Sequence, residues 1–205
     1  MKGIFFITGT DTGIGKTTLM VLLLKSLRRK GIHAGGLKPI CSGGRDDAKM
    51  ILAATDSGLS LDEINPWHFR AAIAPSLAAR QEGKRVKLAQ VISRIRAMQK
   101  RFDVLLVEGA GGLLSPFGEN FDSRDVIQAL RAVPVIVAPN RLGVVNHVLL
   151  TLEALPKNLR SKARIVLMPQ RQPDISTRTN ALLLADFLDS KQILTPAKLE
   201  ALFTA

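Results

Sequence analysis

Short apolar runs alternate with longer amphipathic stretches along this chain. The run at 3–8 is apolar at nearly every position and predicts a buried strand, while the leucines within 16–30 recur at helical spacing and predict a helix that packs on a sheet. The same alternation continues to the end. It predicts further strands at 33–38, 103–107, 133–138 and 163–168, helices at 46–55, 88–100, 122–131, 144–155 and 176–188, and a short helix from Thr195.

Strands without a polar face are typical of a sheet that helices cover on both sides. The helices between them make right-handed crossovers, which implies a mostly parallel sheet. No internal repeat or low-complexity linker interrupts the pattern, so we expect a single α/β domain over residues 1–205. Ligands of such sheets bind at the carboxyl ends of the strands.

A glycine-rich turn joins the first predicted strand to the first predicted helix. Residues 9–17 read GTDTGIGKT, so successive backbone N–H groups and the helix N-terminus face one concavity. Lys16 can reach the outer phosphates of a nucleoside triphosphate, and the Thr17 hydroxyl can hold Mg²⁺. The spacing is one residue longer than the common G-x-x-x-x-G-K-[ST] form. The fold class predicted is therefore P-loop NTPase-like, with the reaction left open.

A carboxylate follows the predicted strand at 103–107. Glu108 ends this strand and precedes the glycine-rich residues 109–112. A carboxylate at the end of a buried strand, across from a phosphate-binding loop, is placed to hold Mg²⁺ directly or through water. The glycines let the backbone approach a phosphate or substrate closely. The alternative is a solvated Glu before a turn.

Other candidate residues follow the second and fourth predicted strands. Lys38 would point into the same crevice as Lys16, where two ammonium groups stabilise negative charge on a transferred phosphoryl group. Ser42 can donate or accept a hydrogen bond, and of the acids 46–47 one can cap a helix while the other binds metal. Backbone N–H groups near the helix start at 143–147 can bind a substrate carboxylate.

The charge balance and the cysteine count narrow the class of protein. The net charge is +12, but the basic residues lie at predicted helix ends and polar faces, and there is no tyrosine to help stack bases. This pattern argues for a solvated basic surface and against a nucleic-acid site. The single Cys41 fits a reducing compartment, and no apolar run is long enough to span a bilayer. We expect a cytoplasmic protein without a membrane partner.

Taken together, these segments resemble dethiobiotin synthetase, the ligase of the biotin pathway. The matches run in the family's order across roughly the first three-quarters of the chain, and the longer phosphate loop is also typical of that family. The matching segments are TGTDTGIGKT at 8–17, KPxxSG at 38–43, DA at 47–48, NP at 65–66, QEG at 81–83, VEGAGG at 107–112, LG at 142–143, NH at 146–147 and LT at 150–151.

The resemblance implies a reaction and a set of residues for it. The reaction is ATP-dependent carboxylation of 7,8-diaminopelargonic acid with CO₂ and ring closure to dethiobiotin, in a homodimer that uses Mg²⁺. The resemblance implies catalytic roles for Lys16 and Lys38, nucleotide binding by Gly13, Ile14, Gly15, Lys16, Thr17, Thr18, Asp47, Glu108, Gly109, Ala110 and Gly111, substrate binding by Thr12, Ser42, Gly112, Gly143, Asn146 and His147, and Mg²⁺ binding by Thr17, Asp47 and Glu108.

The sequence departs from the family pattern near its C-terminus. Met168-Pro169 stands where relatives usually carry an Asn that reads adenine, and the later segment that covers the base is absent. The resemblance then implies weaker base selectivity than in a typical member, so that other nucleoside triphosphates are open as substrates.

Two alternatives share the predicted fold. One is a dimeric ATPase switch of the chromosome-partitioning type (ParA/MinD-like), but those proteins carry an additional lysine near the start of the loop, and no Lys lies between Lys2 and Lys16. The other is a relative of the ligase that acts on a different amine or carboxylate substrate.

Overall fold

A computed structural model of the chain describes residues 2–55 and 57–203. Within this part, six parallel strands form the main sheet in the order β2-β5-β1-β6-β7-β8, and two further strands, β3 and β4, pair in parallel as a small second sheet. The strands are β1 Gly3–Gly9, β2 Ala34–Leu37, β3 Ile40–Ser42, β4 Trp67–Phe69, β5 Val104–Glu108, β6 Val133–Pro139, β7 Arg164–Met168 and β8 Ile193–Leu194.

Helices cover both faces of the main sheet. One group, α1, α2 and α10, packs together, and a second group, α5 and α6, contacts the same central strands separately. The helices are α1 Lys16–Arg29, α2 Asp46–Thr55, α3 Leu61–Ile64, α4 Pro75–Gln81, α5 Leu88–Gln99, α6 Ser123–Leu130, α7 Val144–Ala154, α8 Lys157–Arg160, α9 Asn180–Ala185 and α10 Pro196–Ala201, with 3₁₀ turns at Ile175–Arg178 and Ser190–Gln192. The predicted α/β fold with a parallel sheet is therefore confirmed.

The central strand β1 shows why these apolar runs form a sheet. Phe6 and Ile7 are completely buried on opposite faces, and Leu19 and Leu23 of α1 are buried in the same core. Each such side chain contributes about 1.5–3 kcal/mol by leaving water. Among the described residues, no helix combines the length and the apolar character needed to cross a bilayer.

The second predicted strand ends earlier than expected. It stops at Leu37 instead of continuing to 38, and Ile40–Ser42 leaves the main sheet to pair with β4. Pro39 explains the break, because proline has no N–H to continue the ladder. Consequently Lys38 lies at a junction between two sheets.

The predicted helix at 176–188 is also wrong in its extent. The structure has a 3₁₀ turn at Ile175–Arg178 and the shorter helix α9, and Asp174 caps the turn by accepting from the Thr177 N–H at 3.2 Å. The Asn180 side chain donates to Asn140 Oδ1 at 2.8 Å. These side-chain bonds compete with a continuous helix. The elements α3, α4, α8, β3, β4 and β8 were not predicted, because they are too short to show a period.

Candidate functional site

An open cleft of about 720 Å³ lies at the carboxyl ends of β1 and β5. The phosphate loop forms one wall, and the junction after β2 forms the opposite wall. The residues that line it are Thr12, Gly13, Ile14, Gly15, Lys16, Thr17, Thr18, Lys38, Cys41, Ser42, Gly44, Asp47, Ala72, Ile73, Ala74, Pro75, Glu108, Ala110, Gly111, Ser115 and Pro116.

The phosphate loop has the backbone that its glycines allow. Gly13 and Gly15 have φ of 70° and 96°, in the left-handed region, and Gly15 is the residue before the first turn of α1. The Lys16 side chain folds back so that Nζ donates to the Asp11 carbonyl at 2.7 Å. Burial lowers the pKa of Lys16 to about 8, although Glu108 partly opposes this shift. A bound polyphosphate would reverse the balance.

The second lysine forms an ion-pair network with two carboxylates. Lys38 Nζ contacts Asp47 Oδ2 at 2.9 Å and forms a close ion pair with Glu108 Oε1. The Thr17 hydroxyl donates to the same Glu108 oxygen at 2.9 Å. The side chains of Lys38 and Glu108 are almost fully buried, whereas Asp47 is half exposed toward the cleft. Three separate segments thus converge on one point.

This network sets the charge states of its members. Burial alone would lower the pKa of Lys38, but Glu108 and Asp47 outweigh burial and raise the pKa above its ordinary value of 10.5. For Asp47, burial would raise the pKa, and the Lys38 ammonium reverses this and holds the pKa below its ordinary value. Lys38 is therefore a permanent cation at neutral pH, and Asp47 is a permanent anion.

Oxygen ligands for a hard cation are available in the same place. Glu108 Oε2 is buried, and no hydrogen-bond partner for it exists among the described residues. Together with the Thr17 hydroxyl and the Asp47 carboxylate it makes an oxygen donor set of the kind that Mg²⁺ prefers. In the described part of the chain, no group of three or more His, Cys, Asp or Glu side chains forms a metal cluster. The residues present fit Mg²⁺ better than a softer metal.

The glycine-rich turn after β5 lies against the phosphate loop. A Cβ on Gly112 would lie 3.4 Å from the Gly9 carbonyl, and a Cβ on Gly109 would lie 2.8 Å from the Ser123 hydroxyl. Gly111 has φ of 67°. A side chain at Gly109 would therefore require its neighbours to shift, and one at Gly111 would be strained by the backbone conformation, whereas the contact at Gly112 is an ordinary one. Of the predicted residues in this turn, Ala110 and Gly111 line the cleft, whereas Gly109 is not among its lining residues.

Ser42 lines the cleft as predicted, but its hydroxyl is already engaged. Ser42 Oγ donates to the Ile73 carbonyl at 2.5 Å, which ties β3 to the loop at 71–74. No residue of this loop was predicted as a site residue, and neither were Ser115 and Pro116, which complete the wall. One signal nearby was the Gln81-Glu82-Gly83 match: Glu82 accepts from the backbone N–H of Arg70 at 2.7 Å, at the start of this loop.

Several predicted substrate residues lie outside this cleft. Gly143, Asn146 and His147 are exposed at the start of α7 and are not among the lining residues of the described chain. Gly112 borders a smaller neighbouring cleft of about 420 Å³, together with Leu150 and Thr151 of α7. Within one chain, therefore, the residues expected to take the substrate carboxylate are separated from Lys38.

Comparison with known proteins gives a consistent family. A family model described as "AAA domain" matches residues 4–195. The ATP-dependent dethiobiotin synthetase BioD of Anaeromyxobacter sp. (strain K) is 41% identical over 182 residues, which cover 85% of this chain and 81% of that protein. This chain belongs to the dethiobiotin synthetase family. A family member from Akkermansia muciniphila is 35% identical over 187 residues, covering 91% of this chain and 88% of the relative.

Solved structures share the fold at low sequence identity. The pNOB8 ParA bound to nonspecific DNA has a TM-score of 0.58 at 13% identity and covers 96% of this chain and 80% of its own. The MinC:MinD cell division protein complex of Aquifex aeolicus has a TM-score of 0.53 at 15% identity. The match covers 80% of this chain and 68% of the chain in that complex. Identities this low show the fold alone. The partitioning-type ATPase is therefore not favoured over the synthetase family.

Proposed function

We propose that this protein catalyses the ATP-dependent carboxylation of 7,8-diaminopelargonic acid and its closure to dethiobiotin. The family relationship supports this reaction. The observation that carries the assignment is the buried Lys38 ammonium, which faces a phosphate-loop cleft between two carboxylates. A fixed cation next to a triphosphate site suits a carbamate that must be held and then phosphorylated.

The reaction needs three bond-forming steps. One amine of the substrate attacks CO₂ and loses a proton, which leaves a carbamate anion. A carbamate oxygen then attacks the γ-phosphorus of ATP and displaces ADP, giving a mixed carbamic–phosphoric anhydride. The second amine attacks the carbonyl carbon, loses a proton and expels phosphate, which closes the cyclic urea. Each step develops or moves negative charge in one small region, so positioning and fixed cations supply most of the catalysis.

The proposed residue roles follow from this charge movement. Lys16 and the backbone N–H groups from Gly13 to Thr18 hold the phosphates, with Gly109–Gly111 close by. Lys38 stabilises the carbamate and the transferring phosphoryl group. Ser42, near the amine end of the substrate, fixes the cleft wall through its bond to Ile73.

We propose Thr17, Asp47 and Glu108 as the residues that hold Mg²⁺, supported by the unpartnered Glu108 oxygen. When bound, Mg²⁺ supplies charge neutralisation at the phosphate oxygens. The Lys38 ammonium bridges the same two carboxylates in the structure. Asp47 and Glu108 would thus hold the metal as well as orient Lys38, whose ammonium would serve the carbamate.

We also propose a homodimer that completes the substrate site. Gly143, Asn146 and His147 begin α7 at a distance from their own chain's cleft, and the neighbouring Leu142 and Leu150 are 81% and 62% exposed. A second copy would cover these leucines and bring the helix start to the substrate carboxylate. The free Cys41 supports a reducing, cytoplasmic compartment.

Steady-state release of ADP tests the proposed reaction. We expect release that depends on both the diamine and bicarbonate when each is omitted in turn. ADP release without the diamine would refute 7,8-diaminopelargonic acid as the substrate. Release that depends on another amine would show that this family member acts on a different substrate. The sedimentation coefficient, measured over a range of protein concentrations, tests the proposed dimer.

A further inference from the structure

The Asn65-Pro66 segment has no role in the mechanism above. Asn65 follows α3 and is 1% exposed, so its carboxamide must find partners within the protein. It lies beneath residues 38–47, the looped connection that runs from the end of β2 through the short strand β3 to the start of α2 and carries Lys38, Ser42 and Asp47 to the cleft. A buried polar group under such a loop is a candidate for holding it in position.

The carboxamide bonds to three points of that loop. Asn65 Nδ2 donates to the Lys38 carbonyl at 2.7 Å. Asn65 Oδ1 accepts from Cys41 Sγ at 3.1 Å and from Arg45 Nε at 3.0 Å. One side chain therefore ties together the loop's beginning, its middle and the residue just before α2.

The backbone around Asn65 continues this clamp. The Lys38 N–H donates to the Ile64 carbonyl at 3.0 Å, and the Trp67 N–H donates to the Pro39 carbonyl at 3.1 Å. Lys38 lies beyond the end of β2, where Pro39 interrupts the ladder. The segment at 64–67 thus replaces the missing neighbouring strand at this point.

Arg45 extends the same network to α3. Its guanidinium donates to the Asn65 carbonyl at 2.9 Å, to Asp62 Oδ1 at 2.8 Å and to the Leu61 carbonyl at 3.2 Å. Arg45 stands directly before the acids that open α2, so the network also fixes where Asp47 begins its turn. The Lys38 backbone and the residue before α2 are therefore both bonded to one carboxamide, in addition to the bonds made by the backbone of 64–67 and by α3.

We propose that Asn65 is a positioning residue for the reaction, an inference that rests on the proposed function of Lys38. Its Nδ2 donor fixes the Lys38 backbone, and its Oδ1 acceptor fixes Cys41 and Arg45. Together these set the separation between the Lys38 ammonium and the phosphate loop, which is held on a different strand. Small displacements of a catalytic group cost large factors in rate.

Two substitutions of Asn65 and one matched control test this role. Asn65→Ala removes the three bonds to this loop and a longer fourth bond to the Trp67 carbonyl at 3.5 Å, whereas Asn65→Asp keeps the acceptor for Cys41 and Arg45 but replaces the donor to Lys38. Gln192→Ala is the control, because Gln192 is also a buried carboxamide that donates to two backbone carbonyls, those of Arg160 at 2.7 Å and Ala163 at 3.2 Å. Gln192 lies beside β8 at the far edge of the sheet.

The assay measures kcat, the Kd of the nucleotide and the melting temperature. We expect both Asn65 variants to lower kcat by about 30-fold or more, with the nucleotide Kd within about 3-fold of wild type, because the phosphate loop is untouched. Gln192→Ala should lower the melting temperature about as much as Asn65→Ala and leave kcat within about 2-fold. Wild-type kcat in Asn65→Asp, or an equal loss of kcat in Gln192→Ala, would overturn the proposal.

A second readout does not depend on the reaction. Cys41 is the chain's single cysteine, so its alkylation by iodoacetamide reports on this loop alone. Asn65→Ala should raise that rate by about 10-fold or more, and Gln192→Ala should leave it within about 2-fold. The two claims fail separately. If the wild-type protein forms no dethiobiotin, the proposed function is wrong. If the alkylation rate of Cys41 is unchanged in Asn65→Ala, the positioning role of Asn65 is wrong.

Discussion

The charge state of Lys16 gives the most quantitative prediction. Burial lowers its pKa to about 8, compared with an ordinary value of 10.5. Phosphate groups bound at the loop favour the ammonium and restore a high pKa. Binding of a nucleoside triphosphate should therefore draw a proton from solution, and the amount should depend on pH in a predictable way.

The size of the uptake follows from the pKa. At pH 7 Lys16 is already about 90% protonated in the free protein, so binding takes up roughly 0.1 proton. At pH 8.5 it is about a quarter protonated, so binding takes up roughly 0.75 proton. The nucleotide's own phosphates are fully ionised at the higher pH and contribute little there.

Calorimetric titration with a non-hydrolysable ATP analogue and Mg²⁺ measures this uptake. The apparent binding enthalpy, plotted against the ionisation enthalpy of several buffers, has a slope equal to the protons bound. Lys16→Arg is the control, because a guanidinium stays protonated in both states and should give a slope near zero. A slope near zero for wild type at pH 8.5 would refute the reasoning about Lys16.

The same shift has a consequence for stability. The folded protein holds Lys16 at a lower pKa than the unfolded chain does, so the unfolded chain binds more protons between pH 8 and 10.5. The Lys16 contribution therefore opposes folding below pH 8 by about 3 kcal/mol and fades as the pH rises through that window. Lys16→Met should raise the free energy of unfolding at pH 7 while it abolishes nucleotide binding.

Other predictions concern the ion-pair network around Lys38 and the selectivity for the base of the nucleotide. Lys38→Ala should lower turnover by at least about 100-fold and leave the nucleotide Kd within about 3-fold, measured by initial rates and titration. Lys38→Ala should also lower the free energy of unfolding, measured in urea, by about 3 kcal/mol, because it leaves Glu108 as a buried, unpaired charge. Adding Glu108→Gln to that variant should recover most of the loss. Glu108→Gln alone should raise the Mg²⁺ concentration needed for half-maximal rate or abolish turnover, and an unchanged requirement would contradict its place among the ligands. In a competition assay, CTP and GTP should compete with ATP, whereas strict ATP preference would contradict the expectation drawn from Met168-Pro169.

The parts of the site that lie in local motifs were predictable from the sequence. Residues 9–17 and Glu108 lie at the ends of strands whose apolar pattern is unambiguous. The carboxyl ends of parallel strands meet at one edge of the sheet. Lys38 was expected to point into the same crevice as Lys16, and both residues line the same cleft. The prediction that residues 1–205 form one ligase-like domain stays a prediction.

The remaining features depend on tertiary contacts. The pairing of β3 with β4 joins strands that are too short to show any period. The hydrogen bond from the Ser42 hydroxyl to the Ile73 carbonyl joins residues 31 positions apart, so no local pattern indicates it. Asn65 was visible only as part of a family match, because its role depends on partners 20 to 27 positions away. In the proposed dimer, the exposed start of α7 would join the site through contacts between two copies, and one chain's sequence pattern does not show such contacts.

The fate of labelled bicarbonate tests the central claim most directly. With ¹³C-bicarbonate, ATP, Mg²⁺ and 7,8-diaminopelargonic acid, we predict a cyclic urea whose carbonyl carbon carries the label, with one ADP and one phosphate released per ring. Release of ADP without a labelled ring, or no release at all under these conditions, would contradict the proposed reaction.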